Sequence, residues 1–196
     1  DCVPLADVPV AGADAVIGDR AYGSTPDQVA ALAAAIAVGL MDGGVLPVLK
    51  HLPGHGRAAV DSHQRLPVVD TDRATLEATD FAAFRPLAGL PLGMTAHVVF
   101  SAYDPLAPAT TSVTMIRQVI RDSIGFQGLL MSDDISMGAL SGSLAERARE
   151  RASLAGHGRL GRLDLGVFGS NVLALPPLLA RFRHDPGAGF FSGTAG

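Results

Sequence analysis

The sequence predicts an α/β fold built on a parallel β-sheet. Its 196 residues alternate four times between a short apolar run with strand character and a longer segment with helical apolar spacing. Ionisable residues follow several of the apolar runs directly, as they do at the carboxyl ends of strands in a (β/α) barrel or a doubly wound sheet. The chain has no glycine-rich dinucleotide or phosphate-loop motif, which favours the barrel. A complete barrel takes about 250 residues, so four units predict part of one.

Each predicted strand is a short apolar run bounded by proline, glycine or polar residues. The four strands cover residues 3–10, 45–49, 92–100 and 128–131. Because each strand is followed by a predicted helix, the strands are expected to lie parallel, with the helices as crossover connections.

The predicted helices cover residues 27–41, 72–87 and 112–124, and a fourth helix is expected within residues 139–155. Thr25 and Pro26 suit the start of the first helix, since threonine caps helices and proline is tolerated in the first turn. Thr71 is the expected cap of the second helix, and Gly125 is expected to end the third. Three apolar side chains should anchor the second helix in the core, namely Leu76, Phe81 and Phe84.

The composition predicts a soluble, cytoplasmic protein with a substantial core. Apolar residues make up 48% of the chain and charged residues 17%, with a net charge of −4. The arginines are scattered, which argues against a nucleic-acid partner. The single cysteine, Cys2, cannot form an intrachain disulfide and fits a reducing compartment. The apolar run at residues 172–179 contains two prolines and is too short to cross a membrane.

The most informative segment follows the second predicted strand. Lys50 is the only lysine of the chain, and three of the six histidines lie between residues 51 and 63. The sequence after it, His-Leu-Pro-Gly-His-Gly, is expected to form a loop because of its proline and glycines. Polar, ionisable groups in a loop that follows a buried strand are typical of active sites in α/β folds.

Two further positions suggest acid/base and nucleophilic chemistry. Asp61 lies two residues before His63, so its carboxylate could orient the imidazole and favour its protonated form. Such a pair could donate a proton to a leaving group and later accept one from water. Asp133 follows an apolar strand directly and could act as a nucleophile or stabilise a developing positive charge. An acid/base and a carboxylate suffice for double-displacement glycoside hydrolysis, although the usual pair is two carboxylates.

Structural explanations of these residues stay open. Asp61 and His63 could form an ordinary surface pair, and Asp133 could cap the following helix. His55 is expected to hydrogen-bond within its own loop, and His97 could be a core histidine. A metal site is the rival chemistry, since four possible ligands lie within 13 residues, namely His51, His55, Asp61 and His63. The neighbouring Lys50 would repel the ion and the spacing matches no common zinc pattern, so we expect no metal.

Five stretches of the chain, taken together, resemble the bacterial β-N-acetylglucosaminidases (β-hexosaminidases) of glycoside hydrolase family 3, of the peptidoglycan-recycling type. In order, they are VIGDRAYG at 16–23, KHLPGHG at 50–56, DSH at 61–63, TAHV at 95–98 and GLLMSDDISM at 128–137. The order and near-family spacing of all five make the resemblance specific. It covers roughly residues 1–152 and fades beyond them.

The resemblance implies a TIM-type (β/α) barrel and a role for each of six residues. Asp133 matches the nucleophile that forms the glycosyl-enzyme. His63 matches the acid/base, carried on a mobile loop, and Asp61 matches the partner that orients it. The N-acetylglucosamine unit would be bound by three residues, Arg20, Lys50 and His51.

The function implied by the resemblance is retaining hydrolysis of terminal, non-reducing N-acetyl-β-D-glucosamine from peptidoglycan-derived muropeptides, in cytoplasmic cell-wall recycling and without a cofactor. Family members carry N-terminal strands that precede this sequence, so we expect residues 1–155 to be a partial barrel and residues 156–196 a divergent segment. An inactive or sugar-binding fragment and a family-3 β-glucosidase are the alternatives. By resemblance, the pair of Asp61 and His63 counts against the glucosidase.

Overall fold

A computed structural model describes residues 2–155, 165–168 and 171–174. The helices are Pro26–Asp42 (α1), Arg73–Ala78 (α2), Met115–Ser123 (α3, with π-type hydrogen bonding) and Leu144–Ala155 (α4). The strands are Val48–Leu52 (β1), Val68–Val69 (β2), Leu92–Thr95 (β3), Val99–Phe100 (β4), Leu129–Ser132 (β5), Leu165–Phe168 (β6) and Asn171–Ala174 (β7). Short 3₁₀ turns cover Gly18–Arg20 and Arg85–Leu87.

The main sheet is parallel, as the alternation of strands and helices predicts. β3 lies between β1 and β5 and runs parallel to both, with Val48 opposite Leu92 and Met94 opposite Met131. The carboxyl ends of these three strands therefore meet at one edge of the sheet. β2 and β4 form a second, two-stranded parallel pair, and β6 and β7 pair with each other in antiparallel orientation.

The hydrophobic core lies between the sheet and the helices. The apolar residues of α1 that face inwards are small, at intervals of four, and belong to the same cluster as Leu49 and Leu52 of β1. Side chains of α2, α3 and the turns between the strands complete this cluster, including Phe81, Phe84 and Phe126. A smaller apolar cluster contains one residue from each strand of the main sheet, namely Val48, Met94 and Met131.

The first helix and the end of the third are confirmed. The Thr25 hydroxyl caps α1 by accepting a hydrogen bond from the Gln28 N–H (3.4 Å). Gly125 follows α3 with φ +85°, a conformation that glycine adopts without steric cost.

The second helix is much shorter than predicted, and Thr71 does not cap it. Asp72 is the cap, because its carboxylate accepts hydrogen bonds from both the N–H and the hydroxyl of Thr75. The helix ends at Ala78 because the next residues turn inwards, where Asp80 is buried against Arg57 (2.6 Å). The three predicted anchors are nevertheless buried, namely Leu76, Phe81 and Phe84.

Three strand predictions are corrected. Residues 3–10 form only an isolated bridge, Leu5 to Lys50, because Pro4 and Pro9 cannot donate to a strand ladder. Residues 92–100 divide into β3 and β4, because β3 pairs within the main sheet whereas β4 pairs with β2. β1 also lies three residues later than predicted and includes Lys50 and His51, joined by a cis peptide bond.

The fourth helix lies within residues 139–155, as predicted, and begins at Leu144. Ser143 and Glu146 form a reciprocal capping box there, and Gly142 precedes it with φ +81°. The apolar run at residues 163–168 also predicts a strand, and its described part is β6. The sequence also predicts a short helix at residues 173–182. This prediction is wrong at Leu173 and Ala174, which belong to β7, and residues 175–182 lie outside the described residues.

Candidate active site

Polar side chains gather where the strands of the main sheet end. His51 lies within β1, His97 lies two residues after the end of β3, and Asp133 directly follows β5. The backbone connects these ends, because Ala96 donates to the Leu52 carbonyl (2.8 Å) and Asp133 donates to the Thr95 carbonyl (3.3 Å). Backbone hydrogen bonds therefore link the ends of the three strands at this edge of the sheet.

The buried carboxylate of Asp7 orients the ring of His51 through its Nδ1. The Asp7 side chain is fully buried, and its Oδ2 lies 2.6 Å from His51 Nδ1. Its Oδ1 accepts the backbone N–H groups of His51 (3.3 Å) and His55 (2.7 Å). Burial opposes the charge, but attraction to His51 and these hydrogen bonds outweigh it and hold the pKa of Asp7 below its ordinary value. Nδ1–H of His51 thus donates to an ionised carboxylate.

Asp7 is the residue that the sequence analysis missed. It lies in an apolar segment, Leu5-Ala6-Asp7-Val8, where its type and spacing match no motif. The one available signal was an acidic residue inside an apolar run, which is rarely buried without a partner. Its partner is 44 positions away, so the pairing appears only in the folded chain.

Asp133 faces the other side of His51. Asp133 Oδ2 lies 3.9 Å from His51 Nε2, and Asp133 Oδ1 accepts the N–H of Asp134 (2.8 Å). The Asp133 side chain keeps 20% of its surface exposed, which leaves the carboxylate open to a ligand. It does not cap the following helix, because α4 begins eleven residues later at Leu144.

His97 is a core histidine that supports the backbone next to Asp133. It is fully buried, with Nδ1 2.7 Å from the Thr110 hydroxyl and Nε2 3.0 Å from the Asp134 carbonyl. Burial lowers the pKa of His97, which favours the neutral ring, and Nε2 carries the proton because the Asp134 carbonyl can only accept. Its contribution is structural.

Asp61 and His63 form a pair on the loop after β1. Asp61 Oδ1 accepts the backbone N–H of His63 (2.9 Å) and lies 2.7 Å from its Nδ1. The backbone N–H of His63 and then its ring hold the pKa of the Asp61 carboxyl below its usual range. The His63 side chain is 64% exposed, so Nε2 is accessible to a ligand while Nδ1 is held.

The loop that carries this pair contacts the loop that carries Asp133. Gly138 N–H donates to the His63 carbonyl and Ala139 N–H donates to the Ser62 carbonyl, both at 3.1 Å. A Cβ at position 138 would lie 2.7 Å from the Gln64 carbonyl oxygen and 2.8 Å from that of His63, so the approach requires glycine. His63 and Asp133, which are 70 positions apart in the sequence, thereby lie on loops that contact each other.

His55 hydrogen-bonds within its loop, as expected, and it does so to Ser62. Its ring is buried, with Nε2 2.9 Å from the Ser62 hydroxyl, and Nδ1 has no hydrogen-bond partner among the described residues. Burial lowers the pKa of His55, an effect that attraction to Asp7 only partly offsets. A neutral ring with the proton on Nε2 leaves no buried N–H unsatisfied.

The remaining predicted site residues are the cations. Lys50 precedes His51 on β1 and is half-buried. Arg20 lies in the Gly18–Arg20 turn, is exposed, and donates to the Val16 carbonyl of its own loop. The structure thus brings His51 to Asp133 and docks the loop of His63 beside them, whereas it leaves Arg20 turned towards its own loop.

The four possible metal ligands separate into two groups. His51 and His55 both contact Asp7, whereas Asp61 and His63 pair with each other on the exposed loop. Within residues 2–155 and the two short strands that follow, the His, Cys, Asp and Glu side chains form no group of three that could hold a metal ion.

Comparison with known proteins identifies the family. The family model of the glycosyl hydrolase family 3 N terminal domain matches residues 1–157. The chain belongs to glycoside hydrolase family 3. It is 47% identical to a β-hexosaminidase of Alkalilimnicola ehrlichii over 142 residues, which are 70% of this chain and 40% of that protein. The chain therefore spans about two fifths of the length of such relatives.

Solved structures agree with this assignment. A family-3 β-N-acetylglucosaminidase from Paenibacillus sp. superposes with a TM-score of 0.74 at 35% identity, covering 78% of this chain and 30% of that one. NagZ from Neisseria gonorrhoeae, in complex with N-trifluoroacetyl-D-glucosamine, superposes with a TM-score of 0.69 at 39% identity, covering 78% and 44%. The predicted TIM-type fold, as a partial barrel, is thereby confirmed. None of the described helices combines the length and apolar character needed to cross a bilayer.

The two buried histidines predict a loss of stability in mild acid. His55 and His97 have folded-state pKa values below the ordinary 6.5, so these histidines bind protons more weakly in the folded chain than in the unfolded chain. The free energy of unfolding should therefore fall as the pH drops through about 6.5. We expect urea denaturation at a series of pH values to show this slope, and the His55→Gln variant to show a shallower one. An unchanged slope in that variant would contradict the role assigned to His55.

Proposed function

We propose that this chain carries the reacting groups of a retaining β-N-acetylglucosaminidase. The observation that supports this most directly is the contact network at the sheet edge, in which Asp7 orients His51, and His51 lies 3.9 Å from a partly exposed Asp133. A histidine paired with Asp61 lies on a loop that contacts the Asp133 loop. A carboxylate and a separate acid/base are the groups that double displacement requires.

In the first step, the Asp133 carboxylate forms a bond to the anomeric carbon of the sugar while the glycosidic C–O bond breaks. The departing oxygen takes the electron pair of that bond and a proton from His63 Nε2. Asp61 supports this step, because its carboxylate holds Nδ1 of His63 and stabilises the charged imidazolium form.

In the second step, water attacks the anomeric carbon of the glycosyl-enzyme. The neutral His63 ring accepts a proton from that water, the new C–O bond forms, and Asp133 leaves as a carboxylate. The exposure of His63 suits both steps, since the ring must reach first the leaving group and then water. The cycle returns both residues to their starting protonation states.

The sugar would be bound by Arg20, Lys50 and His51. His51 has its Nδ1 fixed by Asp7, so its Nε2 is oriented to hydrogen-bond a sugar hydroxyl next to Asp133. Lys50 adds a positive charge that a hydroxyl-rich substrate can use, and this interaction strengthens as charge develops in the transition state. Arg20 would have to leave the Val16 carbonyl in order to contact the sugar.

The substrate we infer is terminal β-linked N-acetylglucosamine in muropeptide fragments, processed in the cytoplasm during cell-wall recycling. The support is the resemblance described above, together with a relative named β-hexosaminidase and one solved in complex with an N-acylglucosamine analogue. No cofactor is required by the two steps, because all proton and bond changes involve the chain, the sugar and water.

The test is release of nitrophenol by the 196-residue chain from 4-nitrophenyl N-acetyl-β-D-glucosaminide and from the matching β-D-glucoside. We expect kcat/KM to be at least about tenfold higher for the acetamido sugar, since a site that hydrogen-bonds a substrate group discriminates against its absence. Higher activity on the glucoside would favour a β-glucosidase. Absence of turnover, with N-acetylglucosamine binding detected by calorimetry, would contradict hydrolysis and favour a sugar-binding function.

A further inference from the structure

Ser62 lies between the two residues of the proposed acid/base pair, yet its surroundings are very different from theirs. It is 2% exposed, whereas the side chain of His63 next to it is 64% exposed. Its hydroxyl points away from the pair and lies 2.9 Å from His55 Nε2. A buried hydroxyl between two more exposed residues is the point at which this loop is attached to the protein interior.

His55, the hydrogen-bond partner of Ser62, belongs to the buried part of the site. The ring of His55 is buried, and its backbone N–H donates to Asp7 (2.7 Å), the carboxylate that also orients His51. The next residue, Gly56, contacts the N-terminal segment so closely that a Cβ there would lie 2.0 Å from the Val8 carbonyl oxygen. Ser62 is therefore attached to a loop that has little room to move.

The backbone of Ser62 contacts the other side of the site. Its carbonyl accepts the N–H of Ala139, and the carbonyl of His63 accepts that of Gly138, in the loop that begins at Asp133. Arg147 of α4 holds the same loop by donating to the carbonyls of Ile135 (2.8 Å) and Met137 (3.2 Å). Ser62 thus joins the loop after β1 to the loop after β5.

We propose that Ser62 is a positioning residue, whose hydrogen bond to His55 sets the place of His63 relative to Asp133. The inference rests on the proposed function, because it takes His63 as the acid/base. Without the hydroxyl, the segment of Asp61 and His63 loses its hydrogen bond to the buried loop. It keeps the backbone hydrogen bonds from Gly138 and Ala139 and the local ones that the Asp61 carbonyl accepts. His63 then spends less time within reach of the leaving oxygen, and proton transfer slows more than bond formation by Asp133.

The test compares Ser62→Ala with Ser62→Thr, which keeps the hydroxyl, and with Ser112→Ala. Ser112 is a matched control, because it is also buried (1% exposed) and hydrogen-bonded, to Asp104, but lies away from both loops. The first readout is amide hydrogen exchange at Gly138 and Ala139. We expect exchange there to rise about five- to tenfold in Ser62→Ala, the factor for one buried hydrogen bond, and to stay unchanged in the other two variants.

The second readout is the dependence of kcat/KM on the leaving group. In Ser62→Ala, we expect kcat/KM to fall about tenfold or more for 4-nitrophenyl N-acetyl-β-D-glucosaminide. For the 2,4-dinitrophenyl glycoside we expect little loss, because 2,4-dinitrophenolate departs without needing a proton. Ser62→Thr should restore most of the loss. Equal losses on both substrates, or exchange no faster than in Ser112→Ala, would overturn the inference. If the wild-type chain turns over neither substrate, the proposed hydrolysis fails, and hydrogen exchange still decides whether Ser62 joins the two loops.

Discussion

Replacement of Asp133 by asparagine should abolish hydrolysis of the aryl glycoside, lowering kcat by at least about a thousandfold. An amide is uncharged and a poor nucleophile, so the glycosyl-enzyme cannot form. The structure of the site should survive the change, because an asparagine Oδ1 can still accept the N–H of Asp134. The measurement is the initial rate of nitrophenol release, with the free energy of unfolding of the variant determined alongside.

Asp134→Asn is the matched control for this experiment. It removes a charge from the adjacent residue, whose carboxylate accepts the Ser136 N–H (2.8 Å) and takes no part in the proposed chemistry. We expect it to retain most of the activity. A fluorinated N-acetylglucosaminyl donor, which slows the second step, should leave a covalent adduct on the peptide that contains Asp133, detectable by mass spectrometry even after a single turnover. Equal rates in the wild type and in Asp133→Asn would exclude Asp133 as the nucleophile.

Replacement of Asp7 by alanine should have the largest effect on stability, lowering the free energy of unfolding by about 3–5 kcal/mol. The change leaves two backbone N–H groups and the Nδ1–H of His51 buried without an acceptor. That loss is a large fraction of the roughly 5–15 kcal/mol that holds a typical domain together. Urea denaturation of the two proteins at neutral pH measures it directly.

Asp14→Ala provides the comparison for Asp7. Asp14 is half-buried and accepts one backbone N–H, from Val16 (2.8 Å), so its loss should cost only about 1 kcal/mol. Asp7→Asn should fall between the two, since it keeps an acceptor for the backbone but places an uncharged amide opposite His51. If Asp7→Ala lowered the free energy of unfolding no more than Asp14→Ala, the hydrogen bonds of the buried Asp7 carboxylate would not stabilise the site.

Local pattern was sufficient where neighbouring residues control the structure. The start of α1 at Thr25-Pro26 and the glycine at the end of α3 follow from residues within a few positions of each other. The parallel arrangement of strands follows from their alternation with helices along the chain. The position of Asp133 directly after β5 was likewise readable, because an apolar run followed by acidic residues marks the end of a strand in an α/β fold.

Long-range contacts decided the elements for which local pattern was misleading. The segment after Ala78 has the composition of a helix, but burial of Asp80 against Arg57 draws the chain inwards and ends the helix. The run of residues 92–100 looks like one strand, but its two ends pair with different partners, β3 with β1 and β5, and β4 with β2. Such choices depend on what lies across the sheet rather than along the chain.

The sequence by itself determined the fold class, the family and the positions of the groups that could react, because strand and helix periodicity and motif spacing are local properties. Only the tertiary structure decided that Asp7 supports His51, that Ser62 bonds His55, and that Gly138 meets His63, because these contacts join residues far apart in the chain. A carboxylate inside an apolar run has no meaning in sequence until the fold supplies the hydrogen-bond donors that make its burial favourable.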